Sequence, residues 1–510
     1  MFHADVLAEQ ARHHGARVAV VDVQQDVSRT YRELDVRASA LARVLRAHGA
    51  RPGTAIGWLA WNRIEMVEAL FACVRIGASL VALNPRSTPW ELSRKLSLTD
   101  IPMLIVEQQV LPTLDAARPP GDGNAARRAC LVLDGDGADA YERALAGVDA
   151  SRDVASDASP DAIAAVLFTS GSTATPRGAR LSQRMLMGNA MVTVAAWQLT
   201  AGTVAGIVSP MWHAGGFGAF LLPTLLAGGT LVILRQAESA TFWPTLRRHG
   251  VQVLFGVPTL WSQALEWPGL PDVAGRIRWL LSGGAPLPRR VATRYDVMGI
   301  PLRQGFGMTE AGINLATESG DDAATAPGTV GRPLPWVDVQ VVRGDGAPVA
   351  AGDVGELIIG GPFVADGYLG PHEPGDSTFI GDGRVRTGDL VSVDEAGRLL
   401  ITGRTKHVFV TSGFTVSPAE VELALLESAA VADAAVVSTP HPTLGEVGIA
   451  YVVPGRGRAD VDTESLRSAL RERLSGYKIP TRFEVVGELP RTSSGKVDRR
   501  ALVDRSTAES

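Results

Sequence analysis

The order of apolar and polar positions predicts alternating helices and strands over the first two thirds of the chain. The main predicted elements are helices at 30–49, 65–76, 183–197 and 241–249 and one that extends through Leu222, with strands at 55–59, 79–83, 162–168, 204–209, 230–234, 253–256 and 278–282. This alternation indicates βαβ units, in which helices cover a parallel sheet. The Gly-, Ala-, Asp- and Arg-rich residues 112–161 are predicted to form a surface connection.

The pattern changes twice further along the chain. From 328 to 400, short strands such as 337–342 and 356–360 alternate with Gly and Pro turns, which predicts a small antiparallel or barrel-like piece. Near 403 a second change begins. There Ser417-Pro418-Ala419-Glu420 has the pattern of a capping box with proline at the first helical position, followed by a helix from 421 to about 430.

We therefore predict an α/β fold with two domains. The large N-terminal domain, residues 1–403, would contain two βαβ-type sheet subdomains and a small β-barrel-like subdomain. A small, mobile α+β C-terminal domain would follow at 404–510. At 510 residues and 53.7 kDa, the chain is long enough for this division.

Charge and cysteine usage narrow the class of protein. A net charge of -5 and a pI near 6.0 give no electrostatic case for binding nucleic acid. Two cysteines, Cys73 and Cys130, indicate neither a disulfide framework nor a Cys-based zinc site. The first ten residues lack a signal-peptide pattern, and the uncharged run 214–234 is interrupted by Pro223 and Gly228. We expect no membrane span and a cytoplasmic location.

Lysine is rare in this sequence. Only four of the 49 basic residues are lysines, and they are Lys95, Lys406, Lys478 and Lys496. Because arginine serves at nearly every other basic position, a remaining lysine indicates a place that needs a compact, mobile ammonium group. Three of the four lie between positions 406 and 496.

The stretch 168–178, Phe-Thr-Ser-Gly-Ser-Thr-Ala-Thr-Pro-Arg-Gly, follows the predicted strand at 162–168. Hydroxyls and bare backbone amides at a strand end suit anionic oxygens, so we interpret this stretch as a phosphate cradle and name it the phosphate loop. A flexible surface loop is the alternative interpretation. It is not a Walker loop, because G-x-x-x-x-G-K-[ST] does not occur in the chain.

Several motifs, in order, resemble the adenylate-forming superfamily of acyl-CoA synthetases, nonribosomal adenylation domains and firefly-type luciferases. They are Thr30-Tyr31-Arg32-Glu33-Leu34, Gly77-Ala78, Leu83-Asn84-Pro85, the phosphate loop, Gln304-Gly305-Phe306-Gly307-Met308-Thr309-Glu310, Arg386-Thr387-Gly388-Asp389 and Arg491-Thr492-Ser493-Ser494-Gly495-Lys496. The likeness runs nearly end to end and is greatest to acyl-CoA synthetases, including aryl- and fatty-acid-CoA ligases.

The resemblance implies a binding site for ATP and Mg²⁺. The residues it assigns to ATP are Thr169, Ser170, Gly171, Ser172, Thr173, Arg177 and Gly178 for the phosphates, Gly283, Gly284, Ala285, Pro286, Phe306 and Gly307 around adenine, Thr309 at the α-phosphate, and Asp389 and Arg404 at the ribose. Glu310 and Thr169 would ligate Mg²⁺, a hard cation that prefers oxygen ligands. The implied catalytic residues are Lys496, Thr309, Glu310 and His213.

The resemblance also implies domain rotation about Lys406. In the second orientation the loop Ser412-Gly413-Phe414 would admit the pantetheine thiol of CoA. The chain departs from the family pattern at the residues listed here: Ala174 replaces glycine, Arg177 lysine, Phe306 tyrosine, His407 an acid and Val410 a lysine.

The acyl pocket is expected around Met211-Trp212-His213-Ala214-Gly215-Gly216, which matches the family's P-x-F-H-x-x-G block. We assign to it the residues Trp212, His213, Gly215, Ala219, Gly284, Gly305 and Met308, with Phe217, Trp261 and Trp336 as further apolar walls. No acidic residue occurs from 214 to 234 to hold an ammonium group, so an amino acid is not expected. These residue types suit a hydrophobic or aromatic monocarboxylic acid.

The leading hypothesis is an enzyme, an ATP-dependent acid-thiol ligase that forms acyl-AMP with release of pyrophosphate and transfers the acyl group to CoA. A second hypothesis transfers it to a carrier protein's phosphopantetheine. A third is a non-catalytic binding relative, suggested by Ala174, His407 and Val410. A serine hydrolase is disfavoured, because no G-x-S-x-G elbow is present. The oligomeric state stays open, with a homodimer among the alternatives.

Overall fold

A computed structural model of the protein describes residues 5–117, 129–137, 140–149, 159–169, 176–318, 328–370, 377–411, 414–455, 460–492 and 495–508. The helices are α1 (Val6–His14), α2 (Tyr31–Ala47), α3 (Glu65–Ile76), α4 (Pro89–Leu96), α5 (Leu111–Ala116), α6 (Tyr141–Ala146), α7 (Gln183–Trp197), α8 (Ala214–Gly218), α9 (Leu221–Leu226), α10 (Phe242–Arg248), α11 (Pro258–Ala264), α12 (Arg289–Val297), α13 (Pro418–Leu426), α14 (Thr463–Arg471) and α15 (Arg499–Ala508).

The strands fall into four sheets. In chain order they are β1 (Val18–Asp22), β2 (Val27–Thr30), β3 (Ala55–Leu59), β4 (Ser79–Ala82), β5 (Met103–Glu107), β6 (Ala129–Leu133), β7 (Ile163–Thr169), β8 (Arg177–Ser182), β9 (Val204–Ile207), β10 (Thr230–Ile233), β11 (Val253–Gly256), β12 (Trp279–Ser282), β13 (Leu302–Met308), β14 (Gly312–Thr317), β15 (Arg332–Pro333), β16 (Asp338–Val342), β17 (Gly355–Gly360), β18 (Arg384–Val393), β19 (Leu399–Arg404), β20 (Phe409–Thr411), β21 (Phe414–Val416), β22 (Val431–His441), β23 (Gly445–Pro454) and β24 (Arg482–Val485).

The first large sheet has six strands in the order β6-β5-β3-β4-β7-β8. All neighbours are parallel except β7 and β8, which form an antiparallel pair. The prediction of a surface connection over 112–161 was wrong at β6, which pairs with β5 at the sheet edge. Leu131, Val132 and Leu133 are buried there, and this short apolar run was hidden among polar and glycine residues.

The second large sheet has nine strands in the order β15-β14-β13-β12-β11-β9-β10-β1-β2. Its centre, from β1 to β13, is parallel, which confirms the predicted βαβ architecture. The uncharged run 214–234 divides into α8, α9 and β10, as expected from Pro223 and Gly228. Of the helices that the structure describes, none is long and apolar enough to cross a membrane.

One buried amide joins the two large sheets. Asn62 follows β3 and accepts a hydrogen bond from the backbone N–H of Met211 at 2.7 Å. Its Nδ2 donates to the carbonyls of Ser209 at 3.0 Å and Leu234 at 3.2 Å, which follow β9 and β10. The carboxyl ends of strands from both sheets therefore face a common cleft, which is where open α/β sheets bind ligands.

Two smaller sheets complete the fold. Strands β16 to β19 form a four-stranded antiparallel sheet, and β20 to β24 form the sheet of the C-terminal part, which α13, α14 and α15 accompany. Both agree with the predicted architecture. The boundary at 403/404 stays a prediction.

The predicted capping box at the start of α13 was wrong, although Pro418 does occupy the first turn. The Ser417 hydroxyl makes no cap hydrogen bond and donates instead to the carbonyl of Thr402. Glu420 is engaged by Lys478, whose ammonium lies 2.7 Å from its carboxylate. Both side chains that would form the capping box therefore interact instead with residues distant in sequence.

Candidate active site

The phosphate loop connects two antiparallel strands that end at the cleft. Thr169 closes β7 and is paired with Arg177, the first residue of β8. The Thr169 hydroxyl donates to the Arg177 carbonyl at 3.4 Å. The predicted phosphate contacts Ser170, Gly171, Ser172 and Thr173, together with Ala174, lie outside the described residues.

Arg177 is held at the end of β8 by an aromatic ring and a hydroxyl. Its guanidinium carbon lies 4.0 Å from the centre of the Tyr368 ring, and one of its nitrogens donates to Thr378 Oγ1 at 3.2 Å. Beside it, Gly178 packs against Val166 and Leu369, where a Cβ would lie only 3.0 and 3.1 Å from their side chains. The loop's positive charge is therefore fixed on a rigid strand.

The Gln304–Glu310 motif begins on β13 at the edge where the sheet turns antiparallel. A Cβ at Gly307 would lie 1.8 Å from the carbonyl oxygen of Ile313 on β14, so only glycine fits at this position. The ring of Phe306 is part-buried, and Thr309 follows the strand end. Thr309 and Glu310 thus directly follow β13, the strand that carries Phe306.

Glu310 is buried, with 8% of its surface exposed. The Tyr368 hydroxyl donates to its Oε1 at 2.7 Å, and its backbone carbonyl accepts from the N–H of Ala365 at 2.9 Å. Among the described residues, no basic side chain forms an ion pair with Glu310. Its negative charge is consequently available to a cation in the cleft.

The loop predicted beside adenine follows β12. Gly284 has a φ of +84°, and Gly284, Ala285 and Pro286 are exposed to the cleft. The next residue, Leu287, donates its N–H to Gln304 Oε1 at 3.1 Å. This bond ties the adenine loop to the start of the Gln304–Glu310 motif.

Asp389 and Arg404 face each other across β18 and β19. Arg404 Nε lies 2.7 Å from Asp389 Oδ1, and Arg404 Nη2 lies 3.4 Å from Oδ2. Burial raises the pKa of Asp389, and the charge of Arg404 acts in the opposite direction. The sequence had suggested the pair, and the strand register explains it.

Lys496 extends towards the same carboxylates. Burial lowers the pKa of its ammonium, and the charge of Arg404 lowers it further, whereas Asp389 and Glu310 raise it. The Lys496 residue as a whole keeps an exposed surface. Residues more than a hundred positions apart in sequence are thus brought together.

The predicted hinge and thiol loop lie on the C-terminal side of Arg404. Lys406 is exposed, and burial together with nearby Arg499, Arg404 and Lys406 lowers the pKa of His407 to about 4. Phe414 stacks on Tyr477 at 4.7 Å between ring centres and stays 54% exposed. Ser412 and Gly413 lie outside the described residues.

The predicted acyl pocket is only partly assembled. Gly215, on α8, lines a cavity of about 10 Å³ together with Ser209, Phe220 and Phe255. A Cβ at Gly215 would lie 2.4 Å from the Phe255 ring, so this ring fills most of the space. His213 caps the start of α8, and the buried Trp212 meets Trp61 edge to face at 5.7 Å.

Two of the proposed pocket walls were wrong. Trp336 is 70% exposed in a turn with φ +64°. Leu254 and Phe255 are neighbours on β11 and point to opposite faces of the sheet, because side chains alternate along a strand. Trp261, on α11, is buried against Leu254 and therefore lies on the face opposite to Phe255. Phe217, on α8, and Ala219, which follows this helix, are buried in the core, and Gly305 and Met308 lie part-buried on β13.

A larger cavity, of about 280 Å³, lies elsewhere. Its lining includes Leu246, Arg247, Val273 and Arg276, and it contains none of the predicted site residues. A search for the site by cavity volume alone would therefore miss the cleft in which the charged residues converge.

Comparisons with known proteins agree with the geometry. The family model described as AMP-binding enzyme matches residues 7–369, and the model described as AMP-binding enzyme C-terminal domain matches 420–496. The chain belongs to the AMP-binding enzyme family. These two matches cover both the phosphate loop and Lys496.

Relatives of this AMP-binding enzyme include CoA ligases of several acids. A feruloyl-CoA synthase of Amycolatopsis sp is 34% identical over 92% of this chain and 92% of the relative. An indoleacetate–CoA ligase of Aromatoleum aromaticum is 31% identical over 97% of this chain and 98% of the relative. The crystal structure of ATP-bound MatB from Rhodopseudomonas palustris is similar with a TM-score of 0.89 and 29% identity, over 99% of both chains.

Sequence reasoning missed three residues that organise the site of this AMP-binding enzyme. Tyr368 holds Glu310 and Arg177, Asn62 ties the two sheets together, and Phe255 fills the cavity. The sequence could have indicated Asn62, because an amide side chain between an apolar strand and an apolar helix is expected to be buried and to need hydrogen-bond partners. Tyr368 and Phe255 carried no such signal, since their contacts join distant parts of the chain.

Proposed function

We propose that this AMP-binding enzyme is an ATP-dependent acid-thiol ligase, an acyl-CoA synthetase. The observation that carries the proposal is the convergence of Lys496, Arg404, Asp389 and Glu310 at the cleft that the phosphate loop borders. Two cations and two carboxylates gathered at one cleft suit a nucleotide with its metal ion. A protein of similar structure, MatB from Rhodopseudomonas palustris, is known with ATP bound.

In the first step, the acid's carboxylate oxygen attacks the α-phosphorus of ATP. The bond from that phosphorus to the bridging oxygen of pyrophosphate breaks, and pyrophosphate leaves with the electron pair. The attack brings anions together, so positive charge placed at the α-phosphate stabilises the transition state. Lys496 supplies this charge, Thr309 donates to the α-phosphate, and Arg177 holds the departing phosphates.

The nucleoside is held by groups on three elements. Phe306 offers a ring face to adenine, and the loop Gly284–Pro286 covers the other side. Asp389 accepts hydrogen bonds from the ribose hydroxyls while Arg404 keeps its carboxylate in place. The phosphate loop completes the clamp through Thr169, Gly178 and the loop residues between them.

Mg²⁺ fits the residues present. The buried carboxylate of Glu310, which Tyr368 holds by a hydrogen bond, and the Thr169 hydroxyl would hold the ion. A single protein carboxylate is typical, because phosphate oxygens and water supply the other ligands. When bound, the ion would neutralise charge on the phosphates.

In the second step the CoA thiolate attacks the acyl carbon, and AMP leaves to give the thioester. The C-terminal domain, 404–510, would rotate about Lys406 to expose the loop around Phe414. The exposed Phe414 and its stacking on Tyr477 are consistent with a surface that meets a ligand. A carrier-protein phosphopantetheine is the second candidate acceptor, favoured by the same exposed surface.

We propose a hydrophobic or aromatic monocarboxylic acid as substrate. The residues at the small cavity, Gly215, Phe220 and Phe255, are apolar, and the relatives include ligases of feruloyl and indoleacetate groups. Phe255 must turn away for an aromatic acid to enter. With two cysteines in 510 residues, we also propose a reducing, cytoplasmic location.

A pyrophosphate-release screen tests the proposal. Aryl, alicyclic and fatty acids are each supplied with ATP and Mg²⁺, with and without CoA, and Lys496→Ala serves as control. We expect release that depends on one class of acid and a thioester when CoA is present. Thioester formed only on a carrier protein would favour the second acceptor. If no acid causes pyrophosphate release, and wild type and Lys496→Ala give the same background, the protein would be a non-catalytic relative.

A further inference from the structure

Residues 365–369, here the 365–369 segment, connect the phosphate-loop strand to Glu310. On one side, Arg180 donates its N–H to the carbonyl of Gly367 at 2.9 Å, and Leu369 donates to that of Gly178 at 2.8 Å. On the other side, Ala365 donates its N–H to the carbonyl of Glu310 at 2.9 Å. The segment is therefore fastened at once to β8 and to the end of the Gln304–Glu310 motif.

Tyr368 lies where these two attachments meet. Its backbone bridges to Ala179 of β8, and its ring meets Phe379 edge to face at 5.2 Å. Its hydroxyl donates to Glu310 Oε1 at 2.7 Å, and its ring face lies under the Arg177 guanidinium at 4.0 Å. One side chain thus touches both the carboxylate and the cation that the proposed nucleotide site uses.

The two contacts do different chemical work. A phenol hydroxyl fixes the direction of a carboxylate without neutralising it, so Glu310 keeps a full negative charge for a cation. The face of an aromatic ring attracts a guanidinium and holds it flat, so the Tyr368 ring fixes the orientation of Arg177 at the end of the phosphate loop. A phenylalanine at this position would keep the second contact and lose the first.

We infer that Tyr368 is a positioning residue that orients Glu310 for Mg²⁺ and Arg177 for the phosphates of ATP. The inference rests on the proposed function of the cleft. It predicts that removal of the hydroxyl weakens the metal-dependent part of nucleotide binding, and that removal of the ring weakens binding with or without metal.

Equilibrium binding of ATP by titration calorimetry, with no acid present, tests the hydroxyl. In wild-type protein we expect Mg²⁺ to strengthen ATP binding. In Tyr368→Phe this gain should fall about tenfold or more, as expected for loss of one hydrogen bond to a charged group, while affinity without Mg²⁺ stays within about twofold. An unchanged gain in Tyr368→Phe, or no gain in wild type, would overturn the inference.

Tyr368→Leu tests the ring. Because Arg177 loses its aromatic support, ATP affinity without Mg²⁺ should fall about threefold or more below that of Tyr368→Phe. Equal affinities for the two variants would refute the part of the inference that concerns Arg177.

Tyr295→Phe is the matched control. Tyr295 is also a tyrosine whose hydroxyl donates to one protein acceptor, the Trp261 carbonyl at 3.0 Å, but it lies in the core away from the cleft. We expect its ATP binding to match wild type. Acid-dependent pyrophosphate exchange by the wild-type protein is measured in parallel. Absence of exchange would contradict the proposed function. Normal exchange, together with wild-type ATP binding by the Tyr368 variants, would contradict only this inference.

Discussion

Arg404 Nε lies 2.7 Å from Asp389 Oδ1, yet only 4% of the Asp389 side chain is exposed whereas 49% of the Arg404 side chain is. The two side chains therefore differ in hydration: the Asp389 carboxylate is shielded from water, whereas the Arg404 guanidinium stays largely hydrated. Burial therefore raises the pKa of Asp389 more than the charge of Arg404 lowers it. A carboxyl group whose pKa is higher in the folded than in the unfolded protein makes folding less favourable as pH rises through that interval.

Asp389→Asn should therefore separate stability from nucleotide binding. At pH 7 we expect the melting temperature of the ligand-free protein to stay the same or rise by a few degrees, because a buried charge is removed. The KM for ATP should rise about tenfold, as expected from weaker hydrogen bonds to the ribose. Scanning fluorimetry and pyrophosphate exchange measure the two effects.

The exposed pair Arg384–Asp338 in the same sheet provides the control. Asp338→Asn should change neither quantity, since exposed ion pairs contribute little. A clear fall in the melting temperature of Asp389→Asn would mean that the ion pair with Arg404 contributes more than burial costs.

A second prediction concerns the alkaline limit of adenylation. Burial and the charge of Arg404 lower the pKa of Lys496, so its ammonium is lost at lower pH than that of an ordinary lysine. The adenylation rate should fall as pH rises through this pKa. Arg404→Gln removes one cause of the lowering and should move the alkaline limb to higher pH, whatever it does to the ATP affinity.

Pyrophosphate exchange from pH 7 to 10.5 at saturating ATP measures the shift. Arg398→Gln makes the same change of charge at a pair with Asp394, away from Lys496, and should leave the limb in place. A limb that moves to lower pH in Arg404→Gln would contradict the assignment of Lys496 as the titrating group.

The third prediction concerns stability in acid. The pKa of His407 is lowered to about 4, first by burial and then by Arg499, Arg404 and Lys406. Between about pH 6.5 and 4 the unfolded chain binds a proton that the folded chain does not, so stability is lost as pH falls through this window. His407→Gln should remove about 1–2 kcal/mol of that loss, after allowance for partial exposure.

Urea unfolding at pH 7 and pH 4.5 gives the difference in unfolding free energy for each variant. The exposed His13→Gln is the control and should behave as wild type. An equal loss in wild type and His407→Gln would show that other groups govern acid unfolding.

Local patterns were sufficient to predict much of the fold. Strand β3, helix α3 and helix α7 begin and end where apolar periodicity placed them. The failures share one cause. At α13, the tertiary partners of Ser417 and Glu420 replaced a local motif, and at β6 the neighbouring strand β5 turned a short apolar run into a sheet edge.

The candidate site divides in the same way. Asp389, Arg404, Glu310 and Lys496 were predicted, since each stands in an ordered motif. Phe255 was not predicted, because its effect depends on how β11 and α8 pack against each other. Trp336 was misinterpreted for the converse reason, as nothing in its local sequence shows that the turn points it into solvent.

The fourth prediction compares two glycines of the site. At Gly307 a Cβ would lie 1.8 Å from the Ile313 carbonyl oxygen, so Gly307→Ala must move one of two paired strands. At Gly284 the φ is +84° but no atom lies within 4 Å of a Cβ. Gly284→Ala should therefore cost only about 1 kcal/mol of backbone strain, whereas Gly307→Ala should cost about 3 kcal/mol or more.

Urea unfolding ranks the two variants directly. Equal losses would mean that β13 and β14 can separate at little cost, and the requirement for glycine at 307 would then have a different reason.

The fifth prediction tests whether the cavity beside Gly215 is the acyl pocket. The Phe255 ring would lie 2.4 Å from a methyl group at Gly215, so the two positions compete for one space. Gly215→Ala should lower kcat/KM for aromatic acids more than for short aliphatic acids. Phe255→Ala should favour bulky acids, at a cost of about 3 kcal/mol in stability from lost packing.

The double variant makes the test specific. If one space serves both side chains, Phe255→Ala gives the methyl group of Gly215→Ala room, and the double variant should recover most of the aromatic activity that Gly215→Ala alone loses. Strictly additive effects on the ratio of kcat/KM values would mean that the substitutions act at separate places. Unchanged ratios in all three variants would place the acid elsewhere in the cleft, and Trp61, whose ring meets that of Trp212 at 5.7 Å, would be the next residue to substitute.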